Sequence, residues 1–226
     1  SHNGDKVKSA VIAYATKWVE EGLVPGEFLE YVQDPAKVTY PWSMIDKITP
    51  RPDEKVQKML AEDGFEDNYT ILTDKRTYTA PFVNAEETEY LVIEDNYTNG
   101  RPPLELGGVM YVDRETVDKV ERMKVCTCLN PLHTAMSIYG CLLGYELISA
   151  EMADEDIRGL ITKLGHIEAM PVVTDPGVLK PTDFIDAVLN RRLPNPFMPD
   201  APQRIATDTS QKIPIRFGET IKAYQA

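Results

Sequence analysis

The residues best suited to chemistry lie close together near the middle of the chain. They are a lysine, an asparagine and a histidine, in the order Lys124-Val125-Cys126-Thr127-Cys128-Leu129-Asn130-Pro131-Leu132-His133. Oxidation of an alcohol needs a group that accepts the hydroxyl proton while hydride leaves the same carbon. A lysine can accept that proton where burial disfavours the ammonium form. An asparagine amide can donate to the alkoxide-like oxygen, and a histidine can hold a second substrate hydroxyl.

The same residues also fit a purely structural interpretation. Asn130 followed by Pro131 is typical of a helix start, with asparagine as the N-cap and proline at the first helical position. His133 would then satisfy a hydrogen bond in the core, and Lys124 would be solvated at a helix end. Taken alone, the pattern favours this interpretation over catalysis.

A zinc site is a third hypothesis for this stretch. The zinc-ligand types present are Cys126, Cys128, His133 and Cys141. Their spacing matches no common structural zinc pattern, so we expect buried cysteines and no metal. An odd number of closely spaced cysteines also favours a reducing, cytoplasmic location over a disulfide framework.

A second polar cluster lies near the end of the chain. Arg204, Asp208 and Lys212 are spaced so that they would share one face of a continuous helix. They would then form either a solvated salt-bridge ladder or a cationic pair for a carboxylate or hydroxyl-rich substrate, held in place by Asp208. Periodicity alone favours the ladder.

Composition excludes several classes of partner. The net charge is −12 and the hydrophobic content is 42%, as in an ordinary globular protein. Without a cluster of lysines and arginines, we expect no nucleic-acid partner and no attraction to an anionic membrane. No apolar run approaches the length of a membrane span.

The local patterns predict an α+β fold that is mostly helical. We predict a first helix that Asn3 caps and Gly22 ends, and helices at 26–33 and 52–63. We also predict an extended segment at 38–48 and a strand over Tyr90–Glu94. Further helices are predicted at 114–123, 131–147, 154–170, 182–191 and from 202 onward. The change in character places a domain boundary near residues 105–115. No Gly-x-Gly-x-x-Gly loop follows any strand, so no cofactor-binding residue can be assigned.

Several separated motifs together resemble the polyol-specific long-chain dehydrogenase/reductase family, which includes mannitol 2-dehydrogenases and the fructuronate and tagaturonate reductases. These motifs span nearly the whole chain. They are Asn3-Gly4, the loop 40–50, the segment 93–102, Met123-Lys124 with Asn130-x-x-His133, the stretch 191–196, and Arg204-Ile205-Ala206-x-Asp208-x-Ser210-x-Lys212.

The resemblance implies a role for each candidate residue. It implies Lys124 as the general base, with Asn3 and Asn130 as the pair that stabilises the oxyanion. The substrate contacts that it implies are His133, Asp46, Arg204 and Lys212. In this family the lysine and asparagines do the work of zinc in other alcohol dehydrogenases. The implied cofactor is NAD, with NADP as an alternative, and no metal.

Three features depart from the family's usual pattern. Lys124 and Asn130 are six positions apart where the family usually has five. One extra residue turns a lysine by about 100° around a regular helix, so we expect a bulge or a non-helical segment before Pro131. Pro131 also stands where the family typically has glycine. The Gly-rich nucleotide loop of the family is missing from this sequence.

We therefore expect the chain to be part of a longer enzyme and to be inactive by itself. Residues 1–110 would be the C-terminal part of a Rossmann-like nucleotide-binding domain, and 111–226 a truncated helical substrate-binding domain. The substrate would be a small sugar alcohol or sugar acid, such as mannitol or mannonate. The alternative is a non-catalytic helical binding or assembly domain. The sequence does not predict an oligomeric state.

Overall fold

The computed structural model describes residues 2–47, 49, 52–87 and 90–226, except the side chains of His2 and Asn3. It is mostly helical with a small sheet, which confirms the predicted class. The helices are α1 (His2–Glu20), α2 (Gly26–Gln33), α3 (Glu54–Glu62), α4 (Arg114–Met123), α5 (Asn130–Leu143), α6 (Ile148–Glu151), α7 (Glu155–Lys163), α8 (Pro181–Ala187), α9 (Pro202–Ile205), α10 (Thr209–Arg216) and α11 (Gly218–Gln225).

The strands are β1 (Ser43–Asp46), β2 (Ile71–Leu72), β3 (Tyr78–Thr79), β4 (Tyr90–Glu94) and β5 (Met110–Val112). Wider π-helical turns occur at Lys124–Cys128, Leu164–Ala169 and Val188–Arg192, and 3-10 turns at Leu104–Gly107 and Met170–Val172.

Chain contacts divide the protein into two compact units. Unit 1 comprises residues 1–46, 88–122 and 175–179, and unit 2 comprises residues 47–87, 123–174 and 180–226. Both units are discontinuous in sequence. The division into domains at 1–110 and 111–226 stays a prediction.

Unit 1 is built on a three-stranded sheet in the order β1-β4-β5. β1 runs antiparallel to β4, with Ser43 opposite Ile93, and β5 runs parallel to β4. β4 alternates between buried and half-buried residues, and Val92 is completely buried. The strand occurs where the run of aromatic and aliphatic residues predicted it.

An ion pair in unit 1 fixes the first turn of α1. The guanidinium of Arg114 lies 4.6 Å from the ring centroid of Trp42, and its Nε donates to both carboxylate oxygens of Glu94 at 3.0 and 3.1 Å. Trp42 Nε1 donates to Asp5 Oδ1 at 3.1 Å. A Cβ on Gly4 would lie 2.8 Å from Trp42 Cδ1, so the ring needs a glycine here. The Asn-Gly motif thus owes its glycine to packing.

Opposing effects set the ionisation of Glu94 in this ion pair. Burial by itself raises the pKa of Glu94. The hydrogen bonds from Arg114 and from the backbone N–H of Trp42 outweigh burial and hold that pKa below its ordinary value. The carboxylate therefore stays charged and keeps the ion pair intact near neutral pH.

Unit 2 is organised around α5. Its buried side chains include Leu132 and Met136, which are one helical turn apart and fully buried. α5 packs against α6, α7, α9 and α10. Pro131 lies in its first turn, where the missing N–H costs no helical hydrogen bond. The stretch 124–133, which contains Lys124, Asn130 and His133, therefore leads into the central helix of this unit.

The predicted continuous helix from residue 202 is wrong. The helix is interrupted between α9 and α10, and Asp208 adopts a left-handed conformation with φ of 56°. Thr209 Oγ1 donates to the carbonyl of Ala206 across this break at 2.5 Å. Because Arg204 and Lys212 lie on different helices, they cannot form a ladder through Asp208.

Glu151 gives unit 2 a distinct pH dependence. The side chain is fully buried against Gly140 of α5, where an added Cβ would collide with Oε1, and neither carboxyl oxygen has a hydrogen-bond partner among the described residues. Burial raises the pKa of Glu151 to about 8. The folded state keeps this proton above pH 4.5, where the unfolded state releases it. The contribution of Glu151 to stability is therefore greatest below pH 4.5 and falls as the pH rises to 8.

We expect the free energy of unfolding to fall by on the order of 3 kcal/mol between pH 5 and 8 through Glu151 alone. Glu151→Gln should remove this contribution, as measured by urea unfolding at a series of pH values. The matched control is Glu155→Gln, because Glu155 is exposed in the next helix. If Glu151→Gln unfolds with the full pH dependence of the wild type, the carboxyl is not held protonated.

Candidate active site

The segment that carries Lys124 is a π-turn, defined here as Lys124–Cys128. It starts directly after α4 ends, and the N–H of Leu129 donates to the carbonyl of Lys124 at 3.1 Å, five residues back. A π-turn accommodates one more residue than an α-turn of the same rise. The expected bulge is therefore present where the spacing of Lys124 and Asn130 exceeds the family's. The Lys124 side chain is half-buried.

Asn130 is not the N-cap that its sequence position suggested. Leu129 occupies the cap position, with no side-chain capping bond, and Asn130 is the first residue of α5. The Oδ1 atom of Asn130 is buried and has no hydrogen-bond partner among the described residues. An unpaired amide atom of this kind costs about 1–3 kcal/mol unless a ligand satisfies it. Rotation of the amide can present either Oδ1 or Nδ2 at this position.

His133 lies one turn further along α5 and faces Asp200. Nε2 of His133 is 3.6 Å from Asp200 Oδ2, and both side chains are largely buried. Burial is the main cause that lowers the pKa of His133 to about 4; within that net shift, Asp200 acts to raise the pKa, and Arg216, Arg204 and Arg192 act to lower it. The imidazole is therefore neutral at pH 7 and can both donate and accept a hydrogen bond.

Arg204 belongs to the same group through Asp200. Its Nε and Nη2 donate to Asp200 Oδ1 at 2.8 and 2.5 Å. The Arg204 side chain is 69% exposed, so its outer face is accessible to solutes. Arg204, Asp200 and His133 thus form a continuous polar row from solvent to α5.

His133 and Asp200 of this row form part of the wall of a pocket in unit 2. Its lining residues are Glu86, Leu129, His133, Ile148, Arg192, Leu193, Met198 and Asp200. Arg192 forms a buried two-point ion pair with Glu86, from Nη2 to Oε1 at 2.7 Å and from Nε to Oε2 at 3.1 Å. Both side chains are nearly inaccessible, at 3% and 9% exposed. The pair links the segment before β4 to the third π-helical turn.

Glu86→Gln should destabilise the protein by about 2 kcal/mol, because it removes the carboxylate charge from a buried, hydrogen-bonded ion pair with Arg192. Chemical unfolding at neutral pH measures this loss. Glu105→Gln is the control, because the Arg101–Glu105 pair is exposed and its loss should have little effect. Equal stability of Glu86→Gln and wild type would contradict the assigned contribution of the buried pair.

Lys212 is placed differently from its predicted role in a ladder. Its Nζ donates to the carbonyl of Ile205 at 2.8 Å, at the end of α9. Arg216, in the last turn of α10, donates to the hydroxyl of Thr134, the fifth residue of α5. α10 is thereby connected to α9 and α5 through its two cations.

The structure brings part of the predicted site together. His133 and Arg204 meet through Asp200 in unit 2, to which Lys124, Asn130 and Lys212 also belong. Asp46 is fully buried at the end of β1 in unit 1. The Asn3 side chain lies outside the described residues. The roles of all seven predicted residues stay predictions.

Sequence reasoning missed Glu86, Arg192 and Asp200. Arg192 lies in the stretch 191–196 and Asp200 lies shortly before the second polar cluster, but no local pattern marked either residue. Glu86 and Arg192 are 106 positions apart, so no periodicity connects them. That Glu86 and Arg192 are buried as an ion pair becomes apparent only once the fold is known.

The cysteines are all free thiols, and burial raises the pKa of the Cys128 thiol to about 12. Within the described ranges, no group of three or more His, Cys, Asp or Glu residues is arranged to hold a metal ion. None of the helices described is both long enough and apolar enough to span a membrane.

Comparison with known proteins identifies related sequences. A family model described as the mannitol dehydrogenase C-terminal domain matches residues 116–226. The D-mannonate oxidoreductase of Thermotoga maritima is 54% identical over 99% of this chain and 41% of its own length. The polyol:NADP oxidoreductase of Gluconobacter oxydans is 30% identical over 98% of this chain and 41% of its own length. The chain thus spans about 41% of these relatives.

Two solved structures share the fold. A D-sorbitol dehydrogenase in substrate-free form matches with a TM-score of 0.76 and 27% identity, over 97% of this chain and 41% of its own. The ternary complex of Pseudomonas fluorescens mannitol 2-dehydrogenase with NAD and D-mannitol matches with a TM-score of 0.69 and 26% identity, over 98% of this chain and 40% of its own.

Proposed function

The chain belongs to the mannitol dehydrogenase family, and on that premise we propose that the complete protein interconverts a secondary alcohol and a ketone on a linear sugar derivative. A hexonate such as mannonate is the first candidate substrate, because the relative at 54% identity is named D-mannonate oxidoreductase. A polyol such as mannitol is the second candidate. We propose NAD as the cofactor, with NADP as the alternative, and no catalytic metal.

The observation that carries this proposal is the buried amide of Asn130. An N-cap would have used its side chain on the backbone, whereas Asn130 leaves Oδ1 buried and unpaired among the described residues. An unpaired amide oxygen suits a ligand hydroxyl that donates to it better than a structural role. This supports a catalytic interpretation over that of a non-catalytic helical module.

We assign the proton transfer to Lys124. The Nζ of Lys124 would accept the substrate hydroxyl proton during oxidation and return it during reduction. The Asn130 amide, after rotation, would donate to the oxygen that gains negative charge, as Asn3 would from α1. The bound nicotinamide supplies or accepts the hydride. We place its main phosphate contacts outside this chain, because no Gly-rich loop is present in the sequence.

Substrate orientation falls to the remaining polar groups. Neutral His133 would bond one substrate hydroxyl, with Asp200 holding the ring in place. Arg204 would meet a carboxylate or hydroxyl with its exposed guanidinium face, because a planar guanidinium pairs well with a carboxylate. Asp46 and Lys212 are proposed as further substrate contacts.

The test is hydride transfer by the complete gene product. NADH and NADPH absorbance would be followed with fructuronate, tagaturonate and fructose, each with and without a chelator. We expect reduction of a hexuronate that survives the chelator. Activity abolished by the chelator and restored by zinc would contradict the metal-free mechanism, and no turnover of any of these ketones would contradict the proposed substrate class.

A further inference from the structure

We infer that Thr220 is a positioning residue, which sets the orientation of Lys124 by a hydrogen bond to the backbone of the π-turn. This inference rests on the proposed role of Lys124 as the base. The Thr220 hydroxyl, in α11, donates to the carbonyl of Cys126 at 3.2 Å. Thr220 and Cys126 are 94 positions apart, so a tertiary contact, not local helix geometry, makes this bond.

The need for a contact from outside the helix follows from Pro131. In an α-helical register the N–H of residue 131 would donate to the carbonyl of Thr127, and in a π register to that of Cys126. Proline has no N–H and can make neither bond. The backbone hydrogen-bond ladder therefore lacks a donor directly after the extra residue, and residue 131 cannot determine which register the turn adopts.

Two side-chain hydrogen bonds flank Asn130, one before it in the chain and one after it. The Thr220 hydroxyl donates to the carbonyl of Cys126 within the π-turn, and Arg216 donates to the hydroxyl of Thr134 near the start of α5. α10 and α11 both pack against the π-turn. These helices therefore hold the backbone on both sides of the catalytic asparagine.

The consequence for Lys124 is geometric. Relaxation of the π-turn toward an α-helical register would rotate Lys124 relative to Asn130 by about 100°. A base displaced in this way no longer lies within hydrogen-bond reach of the substrate oxygen. The Thr220 hydroxyl thus stabilises the π-helical register, which accommodates the extra residue between Lys124 and Asn130.

The experiment compares Thr220→Val, Thr220→Ser and Thr162→Val in the complete protein. Thr162 is the matched control, because its hydroxyl donates to the carbonyl of Arg158 within α7, away from the π-turn. We expect Thr220→Val to lower kcat about tenfold with little change in the KM for the sugar, since misplacing a catalytic group mainly slows chemistry. Thr220→Ser should restore kcat, and Thr162→Val should match the wild type.

Wild-type kcat in Thr220→Val, or equal losses in Thr220→Val and Thr162→Val, would overturn the inference. If Thr220→Val does not fold, Thr220→Ala replaces it, and equal kcat values for Thr220→Ala and Thr220→Ser would also overturn it. Lys124→Ala is measured beside these variants. If Lys124→Ala remains active, the proposed base is wrong, whereas an inactive Lys124→Ala with an unaffected Thr220→Val sinks only the positioning role.

Discussion

Replacing Lys124 with alanine is expected to lower kcat of the complete protein by about a thousandfold, because general acid–base catalysis contributes about 10²–10⁴-fold. The loss should appear equally in kcat and in kcat/KM, because the proton transfer occurs only in the transition state. Steady-state oxidation and reduction, followed through nicotinamide absorbance, both report it.

The matched control is Lys119→Ala. Lys119 lies in α4 and pairs with Glu115 at 2.7 Å on the surface. Its replacement therefore removes the same type of side chain as Lys124→Ala, but from a position outside the π-turn. Lys119→Ala should keep the wild-type kcat and KM. A Lys124→Ala variant that turns over like Lys119→Ala would assign the base to another residue, and the extra residue of the π-turn would then have removed Lys124 from the chemistry.

Asn130→Ala should reduce kcat by about 10²–10³-fold, as expected for loss of one donor to a developing oxyanion. The same substitution should leave the free energy of unfolding almost unchanged or slightly higher, because it removes a buried amide atom that has no partner. A structural N-cap would show the opposite combination, with lost stability and retained activity. Steady-state kinetics and urea unfolding on the same preparation distinguish the two.

The control for this prediction is Asn190→Ala. Asn190 lies in the third π-helical turn, and its Oδ1 accepts a long 3.4 Å bond from Arg158 in an exposed position. Its loss should affect neither kcat nor stability. Equal kcat in Asn130→Ala and wild type would remove the principal support for the catalytic interpretation.

Local signals predicted the parts of the fold that local physics determines. The helix Gly26–Gln33 and the strand Tyr90–Glu94 occur with the predicted bounds, because apolar periodicity and neighbouring turn residues fix them. The π-turn followed from counting residues between Lys124 and Asn130, because one extra residue must be accommodated somewhere in the helix.

Features that depend on tertiary contacts were not predictable. The helix break at Asp208 depends on a left-handed residue that carries no glycine signal, so the periodicity of the segment was misleading. Asn130 followed by Pro131 resembles a cap, but the preceding π-turn moves the cap position to Leu129. The Glu86–Arg192 pair joins residues too distant in sequence for any spacing argument.

Rescue of Lys124→Ala by small primary amines tests the central claim most directly. The complete variant protein would be assayed for hydride transfer with ammonia and methylamine, beside Asn130→Ala under the same conditions. An amine that enters the space left by the lysine can accept the substrate proton. We predict a rate that rises with amine concentration in Lys124→Ala only. A rate that stays unchanged in Lys124→Ala, or rises equally in Asn130→Ala, would contradict a lysine base at the π-turn.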